Sequence, residues 1–379
     1  MSHALPRLPD GQVVAAAASE AALGTLPAWD LTDLFPAPGS PEITATLDRA
    51  EAAASAFETA HKGKLAALSG AGLADAVAEY ERIEEELGRA MSYAQLLFAE
   101  DGTNAEVGRF YQSVQERVTV ISAHLIFFAL ELNRLNDAAL DAKLADPRLA
   151  PWTPWLRDLR VLRPHQLSDE AERLLHDKSV TGRAAWVRLF DETLAAMRIP
   201  VRGEPLTVSA ALNKLSDRDR SVREDAAKAV GAAFGERIRL FSLITNTLAK
   251  DKETEDSWRR YPRPPSARNR SNLIEDEVVD ALVAAVSASY PRLSHRYYQL
   301  KAGWLDLPKL QHWDRNAPLP GDDDRLVPWD EARERVLSAY GAFSPEMASL
   351  GKRFFERPWI DARLLPGKAG GAFAHPTVP

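Results

Sequence analysis

The sequence predicts a mainly α-helical fold with a small β component. Apolar residues recur every three or four positions through most of the first 195 residues and again between about residues 210 and 304, which is the spacing of one helix face. Alternation of apolar and polar residues, the pattern of a strand, occurs near residues 197–209 and near residues 370–375. We therefore expect many helices, one hairpin and one further short strand.

Three helices are expected before residue 135. The first runs from Ser40 to about Leu68 and begins with an N-cap serine, a proline and an acid. The second spans Leu73 to Phe98, and the third, capped by Thr103, carries apolar residues from Phe110 to Leu132. This long apolar face predicts a core helix of an antiparallel bundle rather than a cofactor groove.

The pattern changes between Met197 and Ser209, where alternating residues flank Arg202-Gly203-Glu204 and predict a hairpin. Helices are expected again from Ala210 to Lys250 and from Glu275 to Trp304, the latter after a capping box that begins at Asn272. The hairpin is the predicted domain junction, because it separates two helical stretches. We expect a poorly ordered tail at residues 1–25, a helical lobe at 26–196 and a second domain at 197–379.

The composition is that of a globular protein, with 45% hydrophobic and 27% charged residues. The 47 basic and 54 acidic residues give a net charge of -7, which provides no overall attraction to nucleic acid or anionic lipid. No run approaches the roughly 20 apolar residues of a membrane helix. The sequence has no cysteine, so disulfides and thiolate metal sites are excluded. We expect a cytoplasmic protein with no nucleic-acid partner and no membrane partner.

A basic loop from Ser257 to Arg270 holds five arginines among prolines and aromatic residues. Such residues can contact phosphates, but acidic residues flank the loop on both sides. We therefore predict a structural loop whose charges are neutralised locally.

The common catalytic motifs are absent from the sequence, including the P-loop, the G-x-S-x-G elbow and H-E-x-x-H. No two of the eight histidines stand three to five residues apart, the usual spacing of metal ligands on one helix. His312 and His375 are the histidines whose surroundings are of functional interest, since the others lie in charged or core-like contexts. From the residues alone, the chain is a large acidic helical protein with an unusual glycine-rich segment near residue 370.

Five segments, taken in order, resemble oligoendopeptidase F, a member of the thimet-oligopeptidase-like zinc metallopeptidases. The match from Tyr290 to Pro320 is the most specific. The segments are LPAWDLTDLFP (26–36), LSDRDRSVREDAAKAV (215–230), LAKDKETEDSWRRYPRPPSARN (248–269), YPRLSHRYYQLKAGWLDLPKLQHWDRNAPLP (290–320) and PGKAGGAFAHP (366–376).

The resemblance implies a mostly helical, two-lobed peptidase whose deep channel admits short peptides. In the family, the two histidines of H-E-x-x-H and a later glutamate hold zinc, and the motif glutamate activates the attacking water. The glycine-rich segment precedes that motif in relatives, and this sequence contains no such motif. We therefore expect the N-terminal part of a zinc metallo-oligoendopeptidase, with residues 197–379 an incomplete catalytic lobe. We assign no catalytic residue and no metal ligand, and expect no zinc on this chain.

The glycine-rich segment supplies the only site residues that we assign. Gly370, Gly371, Ala372 and Phe373 are expected to form a cleft-lining strand that binds short peptides by strand addition, with His375 beside it. Glycines required only for tight packing are an equally good explanation. The alternative function is a non-catalytic helical module that binds peptides. Oligomeric state and peptide preference do not follow from the sequence.

Overall fold

The computed structural model describes residues 22–322, 325–365, 368 and 371–377. The described residues divide into two compact units. Unit 1 draws on Met1–Ala45, Arg89–Val114 and Asp323–Pro379, and unit 2 on Thr46–Gly88 and Gln115–Asp322. The predicted tail at residues 1–25 lies mostly outside the described residues, which begin at residue 22.

Helices form most of the described chain, so the predicted mainly α-helical class is confirmed. Before the hairpin the helices are α1 (Pro41–His61), α2 (Gly70–Glu100), α3 (Ala105–Ser122), α4 (Ile126–Arg134), α5 (Asp137–Leu144), α6 (Thr153–Val161), α7 (Asp169–Ser179) and α8 (Arg183–Ala196). After it come α9 (Val208–Asn213), α10 (Arg220–Glu236), α11 (Ile238–Trp258), α12 (Ser266–Ser271), α13 (Asp276–Ser289), α14 (Arg296–Trp304), α15 (Trp329–Phe343) and α16 (Pro345–Glu356).

The predicted hairpin near residues 197–209 is formed by β1 (Ile199–Val201) and β2 (Glu204–Leu206), which pair antiparallel. Both turn residues, Arg202 and Gly203, have positive φ angles of 53° and 87°, as a tight hairpin turn requires. The left-handed conformation costs Arg202 about 1 to 2 kcal/mol. Its guanidinium offsets this cost by donating to Asp225 Oδ2 at 2.8 Å and to Ser221 Oγ at 2.6 Å. The hairpin's inward residues pack on α10 and α11 through Ala226, Ala233 and Phe241.

Two predicted helix caps are wrong. Asn104, not Thr103, begins α3, because its side-chain oxygen accepts from the backbone N–H of Glu106 at 2.9 Å. The predicted cap at Asn272 is replaced by Glu275, which makes no side-chain capping bond; Asp276 instead accepts from the side chains of the preceding helix, α12. The third helix also stops at Ser122 and resumes as α4, after a turn.

Two of the five arginines in the predicted basic loop pair with carboxylates, and the end of the predicted loop forms α12. The Arg259 guanidinium donates to both carboxylate oxygens of Glu172, at 2.7 and 2.9 Å, and to Glu255 at 2.7 Å. Arg263 makes a two-pronged contact with Asp280, with both distances 2.7 Å. These pairs hold the loop between α7 and α13.

Asp314 is a fully buried carboxylate in unit 2. It accepts from Arg220 Nε at 3.0 Å, from Arg223 Nη2 at 3.0 Å and from the backbone N–H of Gln311 at 3.0 Å. Burial alone would raise its pKa, but these hydrogen bonds hold the pKa of Asp314 below its usual range. The cluster fixes the segment from Gln311 to Arg315 against α10.

No single helix among the described residues is long and apolar enough to cross a membrane. Two successive helical stretches, Ala105–Arg134 and Asp137–Leu144, are together long and apolar enough for a membrane span, but they are bent by 104° at their junction.

Replacing the buried carboxylate should destabilise unit 2. Asp314→Asn leaves two arginines facing a neutral amide, so we expect a loss of about 3 kcal/mol in the free energy of unfolding at pH 7. Because the folded-state pKa lies below the unfolded value, the carboxylate's contribution is present above about pH 4 and is lost as the pH falls through the folded-state pKa. Urea unfolding of both proteins between pH 3 and pH 7 measures this difference.

The matched control is Asp251→Asn, an exposed carboxylate on α11. It should change the free energy of unfolding by less than about 0.5 kcal/mol. Equal losses for the two variants, or a gap between Asp314→Asn and the parent that does not shrink towards pH 3, would contradict the role given to Asp314.

Candidate functional site

The predicted site segment lies in unit 1, downstream of two backbone contacts that fix its approach. The N–H of Ala362 donates to the carbonyl of Pro27 at 2.9 Å, and the N–H of Asp30 donates to the carbonyl of Pro358 at 2.9 Å. The stretch from 358 to 362 therefore runs along the segment that begins at Pro27. This fixes the chain just before the glycine-rich residues.

Asp361 is the centre of the contacts that follow. Its side chain is fully buried, and its Oδ1 accepts from Arg363 Nε at 3.2 Å and from Lys368 Nζ at 3.2 Å. Burial would raise the pKa of Asp361, but hydrogen bonds from Arg363 and Lys368 lower it below its usual range. The carboxylate thus holds together the described residues 361–365 and 368, which we call the loop.

Lys368 is fully occupied within this loop. Besides Asp361 Oδ1, its ammonium donates to the backbone carbonyls of Asp361 and Arg363, both at 3.0 Å. A lysine ammonium has three donors, and here each has an acceptor. The basic residue of the glycine-rich segment is therefore a structural clamp in this conformation.

Arg363 connects the loop to the end of α2. Its guanidinium pairs with Glu100, whose other carboxylate oxygen accepts from Trp29 Nε1 at 3.1 Å. Trp29 in turn makes an edge contact with the Phe373 ring at a centroid distance of 6.5 Å. The chain of contacts from Asp361 to Trp29 therefore ends on one of the predicted site residues.

The assigned residues lie beyond this loop. Gly370 falls outside the described residues. Gly371 has a φ of +86° with open space where a Cβ would stand, Ala372 is exposed, and Phe373 is 55% exposed. His375 is half-buried, with Nε2 at 3.0 Å from the Ser92 hydroxyl of α2. The structure thus places Phe373 and His375 against the helical part of unit 1 and leaves Ala372 open.

The predicted strand near residues 370–375 is not formed by described residues 371–375. These residues bend at Gly371 and then continue without regular structure, because no described segment pairs with them as a strand requires. No backbone-to-backbone hydrogen bond joins residues 371–377 to another described residue. Their N–H and C=O groups are consequently open to a partner.

A small groove next to the segment escaped the sequence analysis. It has a volume of about 210 Å³ and is lined by residues 29–32 together with Phe35, Pro36, Tyr93, Leu97 and Glu100. Trp29 and Glu100 belong both to this groove and to the contact chain from Asp361. The only signal in the sequence was the segment LPAWDLTDLFP, whose pairing with α2 is a long-range contact that local patterns do not reveal.

The histidines make separate structural contacts. His124 Nδ1 lies 2.6 Å from Glu58 Oε2, His165 Nδ1 lies 2.8 Å from the Arg259 carbonyl, and His176 Nε2 lies 3.1 Å from the Thr119 carbonyl. His312 is exposed and contacts the Trp313 ring. Among the described residues, no group of three or more His, Cys, Asp or Glu side chains could hold a metal ion.

The chain is similar to known oligopeptidases. A family model described as Peptidase_M3_N, Oligopeptidase F, matches residues 131–199. Oligopeptidase PepF of Bacillus subtilis is 27% identical over 331 residues, covering 83% of this chain and 48% of the relative. Group B oligopeptidase PepB of Streptococcus agalactiae is 27% identical over 314 residues, covering 78% and 51%. The chain thus spans about half the length of the curated relatives that it matches.

Solved structures share the fold. The crystal structure of oligoendopeptidase-F from Enterococcus faecium superimposes with a TM-score of 0.65 at 24% identity, covering 82% of this chain and 58% of that one. A structure described as a putative oligoendopeptidase F from Bacillus anthracis gives a TM-score of 0.63 at 17% identity, covering 89% and 59%. At these identities the likeness establishes the multi-helical fold.

Removing the central carboxylate should loosen the loop that precedes the site. Asp361→Asn frees Lys368 and Arg363 from a charged acceptor worth about 1.5 to 3 kcal/mol, so we expect native-state trypsin to cleave after both residues at least about tenfold faster. Timed digestion followed by mass spectrometry measures the two rates. The control is Asp330→Asn, an exposed carboxylate of unit 1 that pairs with Arg333; faster cleavage at residues 363 and 368 in this variant as well would contradict the assignment.

Proposed function

We propose that this chain belongs to the oligoendopeptidase F family, to which its relatives and fold are similar. On that premise, the chain contributes peptide binding to an enzyme that hydrolyses internal bonds of short peptides. The similarity to Oligopeptidase PepF over 331 residues is the observation that carries the proposal. Peptidase activity and peptide substrates are proposed because this relative is an oligopeptidase.

The segment 371–377 is the proposed peptide contact. An extended peptide can pair with unpaired backbone groups, as in strand addition to a sheet edge, and residues 371–377 have such groups. The exposed Phe373 ring beside Trp29 offers an apolar contact for one peptide side chain. His375, held by Ser92, would donate or accept at the end of the segment.

Zinc is the cofactor that the resemblance implies, and the residues present do not fit it. The sequence has no H-E-x-x-H, and the histidines at 124, 165 and 176 contact a carboxylate or a backbone carbonyl, each in a different place. No described cluster supplies three ligands. We therefore propose that these 379 residues bind peptides without cleaving them.

The alternative is that peptide binding without hydrolysis is itself the function of this chain. This alternative rests on the same segment, residues 371–377. It differs from the first proposal because the chain would not need to be part of a peptidase. We also keep a cytoplasmic location as a proposal, on the cysteine-free composition.

A quenched fluorescent peptide of about eight residues tests the proposal. With the purified chain we expect saturable binding by fluorescence anisotropy and hydrolysis at the background rate, with or without added zinc, because a binding surface is present without a ligand set. Turnover that depends on zinc and stops with a chelator would contradict the proposed lack of catalysis. Absence of saturable binding would contradict the peptide contact.

Matched variants locate the contact. Phe373→Ala should weaken peptide binding by about 1 to 2 kcal/mol, because it removes the exposed ring beside Trp29. Phe343→Ala is the control, since Phe343 is 85% exposed, lies in the same unit and has no ring contact among the described residues. Equal weakening by the two variants would contradict the placement at residue 373.

A further inference from the structure

An open groove in unit 2 combines basic and aromatic side chains and lies apart in sequence from the segment described above. Its volume is about 800 Å³. The side chains that matter are those of Arg292, Arg296, Arg315, Tyr297, Tyr298 and Leu300. Aromatic and aliphatic side chains together with a few polar groups are the usual composition of a small-ligand site.

The groove is built by a widened helical turn. Pro291 follows α13 and lacks a backbone N–H, which prevents a regular α-helical continuation. The chain from Pro291 to His295 adopts a π-helical turn, in which the N–H of His295 donates to the carbonyl of Tyr290 at 2.9 Å. This turn carries Arg292, and Arg296 begins α14 directly after it.

Arg315, the third arginine of the groove, is positioned by the buried side chains of Lys301 and Asp314. Lys301 of α14 is buried and donates to the backbone carbonyl of Arg315 at 2.8 Å. The neighbouring Asp314 is engaged by Arg220 and Arg223 and is not available to neutralise Arg315. The backbone at Arg315 is therefore fixed by contacts that do not involve its own side chain.

These three arginines have no acidic partner among the described residues. Arg292, Arg296 and Arg315 make no ion pair and no side-chain hydrogen bond there, in contrast to Arg259 and Arg263. Three unneutralised guanidiniums around one groove attract an anion, and a planar guanidinium matches a carboxylate with two parallel hydrogen bonds. The net charge of -7 makes a long polyanion an unsuitable ligand.

We propose that this groove binds the C-terminal carboxylate of an oligopeptide whose last residue is aromatic or large and aliphatic. The arginines would hold the carboxylate, and Tyr297, Tyr298 and Leu300 would contact the terminal side chain. Tyr297 and Tyr298 are 42% and 39% exposed, and their ring centroids lie 5.9 Å apart. Both rings can therefore contact a ligand in the groove. The choice of a peptide as ligand rests on the proposed function, while the carboxylate rests on the arginines alone.

The test is calorimetric titration of the full chain with an acetylated pentapeptide that ends in phenylalanine, as the free acid and as the C-terminal amide. We expect the free acid to bind saturably and the amide to bind at least about tenfold more weakly, since one charge-assisted contact is lost. Arg296→Gln and Arg315→Gln should each weaken the free acid by a similar factor and leave the amide unchanged. Arg239→Gln on α11, which is exposed and outside the groove, is the matched control.

Each contrary outcome has a distinct meaning. Equal binding of acid and amide, or equal weakening by Arg239→Gln, would overturn the groove assignment and leave peptide binding by the chain intact. Tighter binding of a single-stranded oligonucleotide than of the free acid would overturn it in favour of nucleic acid. If neither peptide binds, the groove assignment is overturned together with the peptide contact proposed for the chain, whereas the hydrolysis assay still reports separately on catalysis.

Discussion

The need to pair a buried carboxylate is the constraint on which both candidate sites depend. Asp361 in unit 1 and Asp314 in unit 2 have fully buried side chains, and an uncompensated charge there would cost several kcal/mol. Each therefore gathers basic side chains around it and fixes the irregular chain that carries it. Hydrogen bonds to the charged form hold both pKa values below their usual range.

In unit 1 the residues that pair with Asp361 are different from those of the proposed peptide contact. Asp361 pairs with Lys368 and Arg363, so neither of these basic side chains is free to contact a peptide. What remains open is the backbone of residues 371–377 and the ring of Phe373. In unit 2 the pairing of a buried carboxylate has the opposite effect, because it leaves a neighbouring arginine without an acidic partner in the described chain. Asp314 takes Arg220 and Arg223, and Arg315 beside it has no acidic partner among the described residues.

Local signals in the sequence predicted the helices and the hairpin correctly, but they predicted the contacts between these elements poorly. The helical periodicity and the Arg202-Gly203 turn were sufficient for the helices and the hairpin, because spacing and turn chemistry are local. The strand predicted near 370–375 is not formed by described residues 371–375, since alternation cannot say whether a partner strand is present. The predicted cap at Thr103 was wrong because the neighbouring Asn104 makes the capping bond. The predicted cap at Asn272 was wrong because Asn272 ends the preceding helix, α12.

The site shows the same division. Gly370 to Phe373 and His375 were assigned from the glycine-rich segment that the resemblance covers. The contacts of Phe373 with Trp29 and of His375 with Ser92 join residues more than 260 positions apart along the chain. The sequence did not predict the arginine groove either, since PRLSHRYY lies inside the helix predicted from Glu275 to Trp304. The contact between Lys301 and the Arg315 carbonyl, which holds the Arg315 segment beside α14, is a tertiary feature that local patterns do not reveal.

The central claim is that residues 371–377 offer their backbone to an extended peptide. Hydrogen–deuterium exchange of the full chain, with and without a saturating short peptide, tests it most directly. The account predicts rapid amide exchange in residues 371–377 of the free chain and protection of those amides when the peptide is bound. Slow exchange in the free chain, or unchanged exchange in this segment while the peptide is demonstrably bound, would contradict it.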